Sequence, residues 1–178
     1  MDLNYLPSTS ERAEILRESI FREGAISVSG VSKESKASKG LVSKYLSLLA
    51  AHGVLSKKGT KFFVKKGNRL KALRLLLTIS ELNEGLFRKY KFVESAGLYG
   101  SGAKGENTEN SDIDLWIRVK EASQQELASL NSQIKRRFPK ANLLMLTKGG
   151  IGQLKKDDPV FYYSLYFGSM IVYGETGV

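Results

Sequence analysis

The chain has 178 residues, 42% of them hydrophobic and 26% charged, and a formal net charge of +10, values that fit one or two folded domains rather than a disordered chain. The absence of cysteine excludes disulfides, thiolate metal sites and cysteine nucleophiles, and a single histidine, His52, excludes a histidine-rich zinc site. Because the sequence contains neither a run of 18 apolar residues nor a signal-peptide pattern, it predicts a cytoplasmic protein with no membrane partner.

The excess positive charge lies entirely in the first half of the chain. Residues 1–91 contain 18 Lys and Arg against 8 Asp and Glu, whereas residues 92–178 contain 10 of each. The stretch from Gly24 to Lys71 holds 11 basic residues and one acid, Glu34. This asymmetry is typical of a polyanion-binding module joined to a module with another role, although a basic face kept for solubility has the same composition.

The basic half predicts three helices followed by a hairpin. A capping box at Ser8–Glu11 begins the first helix, and Gly24 ends it. The third helix is amphipathic, with Val42, Tyr45, Leu46 and Leu49 on one stripe and Gly53 as its C-cap. The remaining predicted bounds are Ser29–Lys36 and Lys39–His52 for the second and third helices, and Val54–Lys57 and Phe62–Lys65 for two strands joined by Lys58-Gly59-Thr60.

This order of elements resembles the winged helix-turn-helix family over Val31–Val64. The resemblance implies that the third helix enters the major groove of double-stranded DNA and that the hairpin, or wing, follows the phosphates. Winged helices also serve as protein-interaction modules, so the positive charge is what favours DNA. His52, at the end of the helix, is interpreted as a capping or surface residue. The expected DNA contacts are Ser38, Lys39, Ser43, Lys44 and Ser47 on the helix and Lys57, Lys58 and Lys61 on the wing.

A connecting segment follows, and Asn68 to about Tyr90 predicts one long helix within it. Leu75, Ile79, Leu82 and Leu86 repeat at heptad-like spacing in a broad apolar surface that must be buried on more than one side. Domain core explains this surface. Pairing with a second copy explains it too, since a homodimer suits palindromic DNA sites.

The second half contains a pair of aspartates at the start of a predicted strand. Alternation over Asp112–Val119 places Asp112 and Asp114 on one face, about 7 Å apart, where two ionised carboxylates repel each other. A divalent cation relieves this repulsion, and Mg²⁺ takes one or two carboxylates together with substrate phosphates. Upstream, Gly100-Ser101 follows a predicted strand over Phe92–Tyr99, where glycine lets the backbone approach a phosphate.

Gly100-Ser101, Gly105 and Ser111-Asp112-Ile113-Asp114 together resemble the nucleotidyltransferase superfamily, the fold of polymerase beta and of the minimal nucleotidyltransferases, over roughly Val93–Val178. The resemblance implies that Gly100 and Ser101 hold the β- and γ-phosphates of a nucleoside triphosphate. It also implies that Asp112 and Asp114 are catalytic and bind Mg²⁺ while an acceptor hydroxyl attacks the α-phosphorus.

Active members of this family carry a third carboxylate on a neighbouring strand. Here the matching strand is expected over Ala141–Thr147, after a helix over about Ser123–Phe138, and it contains no acid. By alternation, Asn142 or Leu144 occupies the position of the acid. Asp157 and Asp158 precede Pro159, where an N-cap role is favoured over a metal-binding role.

The sequence therefore predicts an α+β protein with a winged helix over 1–67, a connecting helix over 68–91 and a nucleotidyltransferase-fold domain, a mixed sheet flanked by helices, over 92–178. Three functions remain open. The first is a Mg²⁺-dependent nucleotidyltransferase directed to DNA, with weak or lost transfer activity. The second is a DNA-binding transcriptional regulator whose inactive second domain senses a nucleotide. The third is a protein-modifying nucleotidyltransferase of a toxin–antitoxin pair.

Overall fold

The computed structural model describes residues 5–175 and 177–178 and has an α+β fold. The helices are α1 Ser10–Ile20, α2 Val28–Ser35, α3 Lys39–Ala51, α4 Asn68–Glu81, α5 Gly100–Ala103, α6 Gln124–Arg137, α7 Lys148–Asp157 and α8 Pro159–Gly168. The strands are β1 Leu55–Lys58, β2 Lys61–Val64, β3 Val93–Tyr99, β4 Ile113–Val119, β5 Ala141–Leu146 and β6 Met170–Tyr173.

The chain divides into two compact units. The first unit runs to Arg74 and also includes Thr108–Asn110, and the second unit comprises Leu75–Asn107 and Ser111–Val178. Helix α4 therefore contributes residues to both units. Among the described residues, no helix is long and apolar enough to cross a bilayer.

Helix α3 of the first unit has the amphipathic pattern that the sequence predicts. Val42, Tyr45, Leu46 and Leu49 are all buried, and the Ser38 hydroxyl caps the helix by accepting a hydrogen bond from the Leu41 N–H. The Tyr45 hydroxyl donates to the Tyr5 carbonyl at 2.7 Å, and burial raises the pKa of Tyr45 to about 12. The side of α3 that faces the core is thereby fixed.

Strands β1 and β2 form an antiparallel hairpin in which Lys58 pairs with Lys61. Its turn is therefore Gly59-Thr60, with Gly59 at φ +58°, and each strand is displaced by one residue from its predicted bounds. The backbones of Ile26 and Phe62 exchange two hydrogen bonds, at 2.8 and 2.9 Å, which attach the segment before α2 to the hairpin.

Both predicted ends of the first helix need correction. Helix α1 is capped by Thr9, whose hydroxyl accepts from the Arg12 N–H, while the Ser8 hydroxyl accepts from the Arg12 side chain at 3.2 Å and does not cap the backbone. This helix also ends at Ile20, before Gly24.

The connecting helix is shorter than its leucine spacing predicts. Helix α4 ends at Glu81, where Asn83 adopts an extended backbone with ψ 155° and a 3-10 helix, Glu84–Leu86, follows. Leu82 and Leu86 are both buried, so the apolar spacing continues past the end of the α-helix. Asn83 and Gly85 have low helix propensity, and they interrupt the helix within this spacing.

The sheet of the second unit has the strand order β5-β4-β3-β6, in which β4 and β5 are parallel and the other pairs are antiparallel. One face packs Leu115 and Ile117 against Leu130 and Ile134 of α6. The opposite face packs Trp116 and Leu146 with Tyr162 and Leu165 of α8. The result is a mixed sheet flanked by helices, as predicted.

Candidate functional site

Asp112 and Asp114 lie where β4 begins, on the sheet face that also carries Trp116. Asp114 is half-buried and pairs with Tyr99, the last residue of β3, whereas Asp112 precedes the strand and is exposed. The alternation of β4 places the aspartates opposite the Leu115–Ile117 core. Both carboxylates are therefore available at one end of the central strands.

Asn142 is the residue of the neighbouring strand that meets this pair. It is paired with Asp114 in the parallel register of β4 and β5. Its Nδ2 donates to Oδ2 of Asp112 at 3.2 Å and to Oδ1 of Asp114 at 3.1 Å. Leu144 instead packs on the Trp116 cluster. Of the two residues that alternation allowed, Asn142 is the one beside the carboxylates.

Gly100 brings the backbone of the turn against one of these carboxylates. It has φ +66° and begins the short helix α5 directly after β3. A Cβ at this position would overlap Oδ2 of Asp114, so only glycine fits both the backbone conformation and the space. Ser101 follows and is half-buried, and its carbonyl accepts from the N–H groups of Lys104 and Glu106 at 3.2 and 2.9 Å. The Gly100-Ser101 turn and the Asp114 carboxylate are thus in direct contact.

The side chains at the site suit a hard cation whose remaining oxygen ligands come from the substrate and from water. Within residues 5–175 and 177–178, no group of three or more His, Cys, Asp or Glu side chains is arranged to hold a metal. The site therefore offers two carboxylates and one neutral amide, a set that suits Mg²⁺ when substrate phosphates and water complete its coordination.

Tyr99 is a site residue that sequence reasoning missed. It precedes Gly100, pairs with Asp114 and contacts the ring of Phe161 in α8, with 6.2 Å between the ring centroids. Burial and the nearby Asp114 carboxylate raise the pKa of Tyr99, so its phenol is neutral beside the aspartates. An aromatic residue at the last position of the strand before Gly100-Ser101 was the only available signal.

Asp157 and Asp158 have structural partners in their own helices. Both Asp157 oxygens accept from Nε2 of Gln153, at 3.0 and 2.8 Å. Asp158 Oδ1 accepts from the Phe161 N–H at 2.9 Å and caps α8, with Pro159 in the first turn. The predicted N-cap role is confirmed for Asp158.

The residues predicted to contact DNA are all exposed. On α3 they lie away from the buried stripe, and Ser38 has an additional role as the N-cap. On the hairpin, Nζ of Lys57 and of Lys58 lie over the rings of Phe62 and Phe63, 5.7 and 5.8 Å from the centroids. These residues are Ser38, Lys39, Ser43, Lys44, Ser47, Lys57, Lys58 and Lys61.

Comparison with known proteins identifies a family and a similar solved structure. Residues 82–175, just over half of the chain, match the family model "Polymerase beta, Nucleotidyltransferase". The chain is also similar to the crystal structure of a "putative nucleotidyltransferase" from Sulfolobus solfataricus, with 19% identity, 60% of this chain and 87% of that chain covered, and a TM-score of 0.35. No curated protein matches. The family match includes Gly100, Ser101, Asp112, Asp114 and Asn142.

Proposed function

Because the chain belongs to the polymerase beta family of nucleotidyltransferases, we propose that its second unit binds a nucleoside triphosphate with Mg²⁺. We further propose that its first unit is a winged helix that directs it to double-stranded DNA. The contact between the Gly100 turn and the Asp114 carboxylate carries the first part, since it joins a backbone suited to phosphates with a carboxylate pair suited to the cation.

In this proposal each residue of the site has a defined task. The backbone at Gly100 and Ser101 binds the β- and γ-phosphates, and Asp112 and Asp114 hold the cation. When bound, Mg²⁺ supplies positive charge that offsets the charge developing on the transferred phosphoryl group. Asn142 orients the two carboxylates through its hydrogen bonds to both.

The transfer itself is a displacement at the α-phosphorus. An acceptor hydroxyl oxygen forms a bond to that phosphorus, and the bond from phosphorus to the bridging oxygen breaks. Pyrophosphate leaves with the electron pair of the broken bond, and the proton of the hydroxyl passes to water. Positioning of the triphosphate is the main contribution of the protein.

Asn142 favours a second candidate, in which the second unit senses a nucleotide and transfers it slowly or not at all. A neutral amide stands beside the carboxylate pair, where an active family member is expected to carry a third acid. Two carboxylates would suffice to hold one cation together with substrate phosphates, but they would hold a second cation less well. The chain is then a DNA-binding regulator whose affinity for DNA changes when a nucleotide binds.

Nucleotide binding is tested by calorimetry with each nucleoside triphosphate, with and without Mg²⁺. We expect binding only with Mg²⁺, and a loss of about tenfold or more for Asp112→Asn combined with Asp114→Asn, because the variant cannot balance the charge of the cation. Equal affinity with and without Mg²⁺, or full affinity in the double variant, would contradict the proposal.

A turnover assay separates the two candidates. Release of pyrophosphate by the unmodified protein, abolished in the double variant, identifies a transferase. Binding with Mg²⁺ but no pyrophosphate release over a panel of nucleic-acid and protein acceptors identifies a sensor.

A further inference from the structure

The outer surface of α8 exposes three aromatic side chains. Tyr163, Tyr166 and Phe167 are 46%, 55% and 78% exposed. Tyr163 and Phe167 stack with 6.0 Å between centroids and 17° between planes, and Tyr166 meets Phe167 edge-on at 5.0 Å. These three residues are called the aromatic strip. Contiguous exposed apolar patches are uncommon on monomeric proteins, and where they occur they often mark a binding surface.

Positive charge lies beside the aromatic strip. Nζ of Lys155 in α7 lies 5.3 Å from the ring centroid of Tyr162 and 5.8 Å from that of Tyr163. Lys148 and Lys156 are exposed on the same helix. The acids of α7 and its junction with α8 are Asp157, which accepts from Gln153, and Asp158, which caps α8.

The helix that carries the aromatic strip begins beside the candidate site. Phe161, in its first turn, contacts Tyr99, which precedes Gly100 and pairs with Asp114. Phe167 follows Phe161 by six residues, or about 9 Å along the helix axis. By helical spacing the strip faces away from Phe161, so a strand that reached both would also pass around α8, a helix about 10–12 Å across. A strand of several nucleotides covers this path.

We propose that the aromatic strip binds single-stranded nucleic acid and that this strand supplies the acceptor hydroxyl for the transfer. Its bases stack on the exposed rings, and the lysines of α7 contact its phosphates. Rings beside cations are the combination by which proteins hold single strands without reading their sequence. The role as acceptor rests on the proposed function, whereas the binding of the strand does not.

Charge favours this occupant over a second copy of the chain. The segment carries three lysines, at 148, 155 and 156, against Asp157 and Asp158, a net charge of +1, so two copies that met through the strip would bring like net charges together. A polyanion instead gains from the same lysines. Stacking contributes roughly five- to 150-fold in affinity per base.

The test uses the full chain carrying Lys57→Ala, Lys58→Ala and Lys61→Ala, so that the hairpin contributes little to binding. Fluorescein-labelled 12-nucleotide strands of deoxythymidine and of uridine are titrated by anisotropy, without nucleotide or Mg²⁺. Tyr163→Leu combined with Phe167→Leu keeps apolar surface but removes two rings. We expect at least about tenfold weaker binding of both strands, or of the one that the surface prefers.

Two further variants make this result specific. Leu76→Ala alters another exposed apolar side chain, 52% exposed on α4, and should leave strand affinity unchanged. Tyr163→Phe keeps the ring and should bind as the parent does. Circular dichroism identifies any variant that has lost its fold. Strand affinity that is equal in the double leucine variant and its parent, both folded, overturns the proposal.

Sedimentation tests the competing occupant. A dimer at micromolar concentration that the double leucine substitution weakens and that the strands do not disperse would mean that a second copy covers the strip, and it would also overturn the proposal. Calorimetry with Mg²⁺ and nucleotide on the same variants separates the two hypotheses. Loss of strand affinity with unchanged nucleotide affinity supports the strip, whereas absent nucleotide binding with intact strand binding defeats only the proposed function.

Discussion

Gly100 shows how a single missing side chain can make a site possible. Its positive φ and the position of Asp114 Oδ2 both exclude a Cβ, so two independent constraints act on one residue. The conformation alone disfavours other residues by about 1–2 kcal/mol. The overlap with the carboxylate adds to this, because Asp114 must move if a side chain is introduced.

We therefore expect Gly100→Ala to lower the free energy of unfolding of the second unit by about 2 kcal/mol or more and to weaken Mg²⁺-dependent nucleotide binding at least tenfold. Urea unfolding and calorimetry measure the two effects. Gly152→Ala is the matched control, since Gly152 lies inside α7 with no atom within 4 Å of the added Cβ. Alanine there should stabilise the helix by up to about 1 kcal/mol. Equal stability of the two variants would contradict the steric argument.

Asn142 offers a second prediction at this scale. Asn142→Asp replaces a donor to two carboxylates by a third carboxylate. Without Mg²⁺ we expect a loss of about 1–2 kcal/mol in the free energy of unfolding, because like charges repel at this distance. With Mg²⁺ the variant should be stabilised more than the unmodified protein and should bind the cation more tightly.

Thermal unfolding across a Mg²⁺ titration measures this difference. Asn83→Asp adds the same charge in the loop after α4 and should show no enhanced response to Mg²⁺. If Asn142→Asp responds to the cation no more than Asn83→Asp does, the two aspartates and residue 142 do not form a cation site.

The sequence alone locates the aspartate pair but leaves its neighbour open. Alternation places Asp112 and Asp114 on one face whatever the rest of the sheet does. The choice between Asn142 and Leu144 depends on the register between β4 and β5, which the connection through α6 and the packing of Leu144 on the Trp116 cluster determine. That register is a property of the tertiary structure, and no local pattern records it.

At the scale of the element, predictions succeeded where local and tertiary signals agree. Helix α3 has a full apolar stripe and a capping serine, and its bounds match within one residue. The predicted range of the connecting helix extends too far, because the leucine spacing continues through Asn83 and Gly85, although the backbone there is no longer α-helical. Apolar spacing reports which residues are buried, and it does not report how the backbone brings them to the core.

Helix α6 begins with a reciprocal capping box, and its acid makes stability depend on pH. The Ser123 hydroxyl accepts from the Glu126 N–H at 3.3 Å, and Glu126 Oε2 accepts from the Ser123 N–H at 2.8 Å. The hydrogen bonds from the Ser123 backbone and side chain lower the pKa of Glu126 below its ordinary value of 4.5. A depressed carboxyl pKa stabilises the folded state above the unfolded value, and this contribution is lost as pH falls through the folded value.

Unfolding curves of the unmodified protein and Glu126→Gln should therefore differ above pH 4.5 and converge as the pH falls below it. Circular dichroism over a pH series measures this. Glu121→Gln removes the charge of another exposed acid just before the capping box and is the control for the change in net charge. Curves for Glu126→Gln that stay equally separated at low pH would show that the carboxylate charge is not the cause.

At the scale of the whole molecule, most of the net positive charge lies in the first unit. Residues 1–74 contain 15 Lys and Arg against 6 Asp and Glu, while the candidate nucleotide site lies in residues 92–178, where basic and acidic residues are balanced. Each task should therefore respond to its own substitutions. Variants that weaken DNA binding should keep their nucleotide affinity, and variants that weaken nucleotide binding should keep their DNA affinity.

Lys57→Ala, Lys58→Ala and Lys61→Ala together should weaken binding of all duplex sequences alike and leave Mg²⁺-dependent nucleotide affinity unchanged, because in the proposed winged helix these lysines contact phosphates. For about five neutralised phosphates, the unmodified protein should show a slope of log K against log salt near −4 to −5, and the variant a shallower one. Substitution of Ser43 or Lys44 should instead alter sequence preference. Duplex binding that ignores salt would contradict the role assigned to the first unit.

The chain has a single tryptophan, Trp116, which is fully buried and lies so close to Gly97 that a Cβ there would overlap the indole. Its fluorescence emission therefore reports on the centre of the sheet and on the second unit alone. The described aromatic residues of the first unit are tyrosine and phenylalanine, which do not fluoresce when tryptophan is excited selectively. Far-ultraviolet ellipticity follows the helices of both units. The two signals trace one curve during unfolding only if both units unfold together, so this natural probe measures their cooperativity without any label.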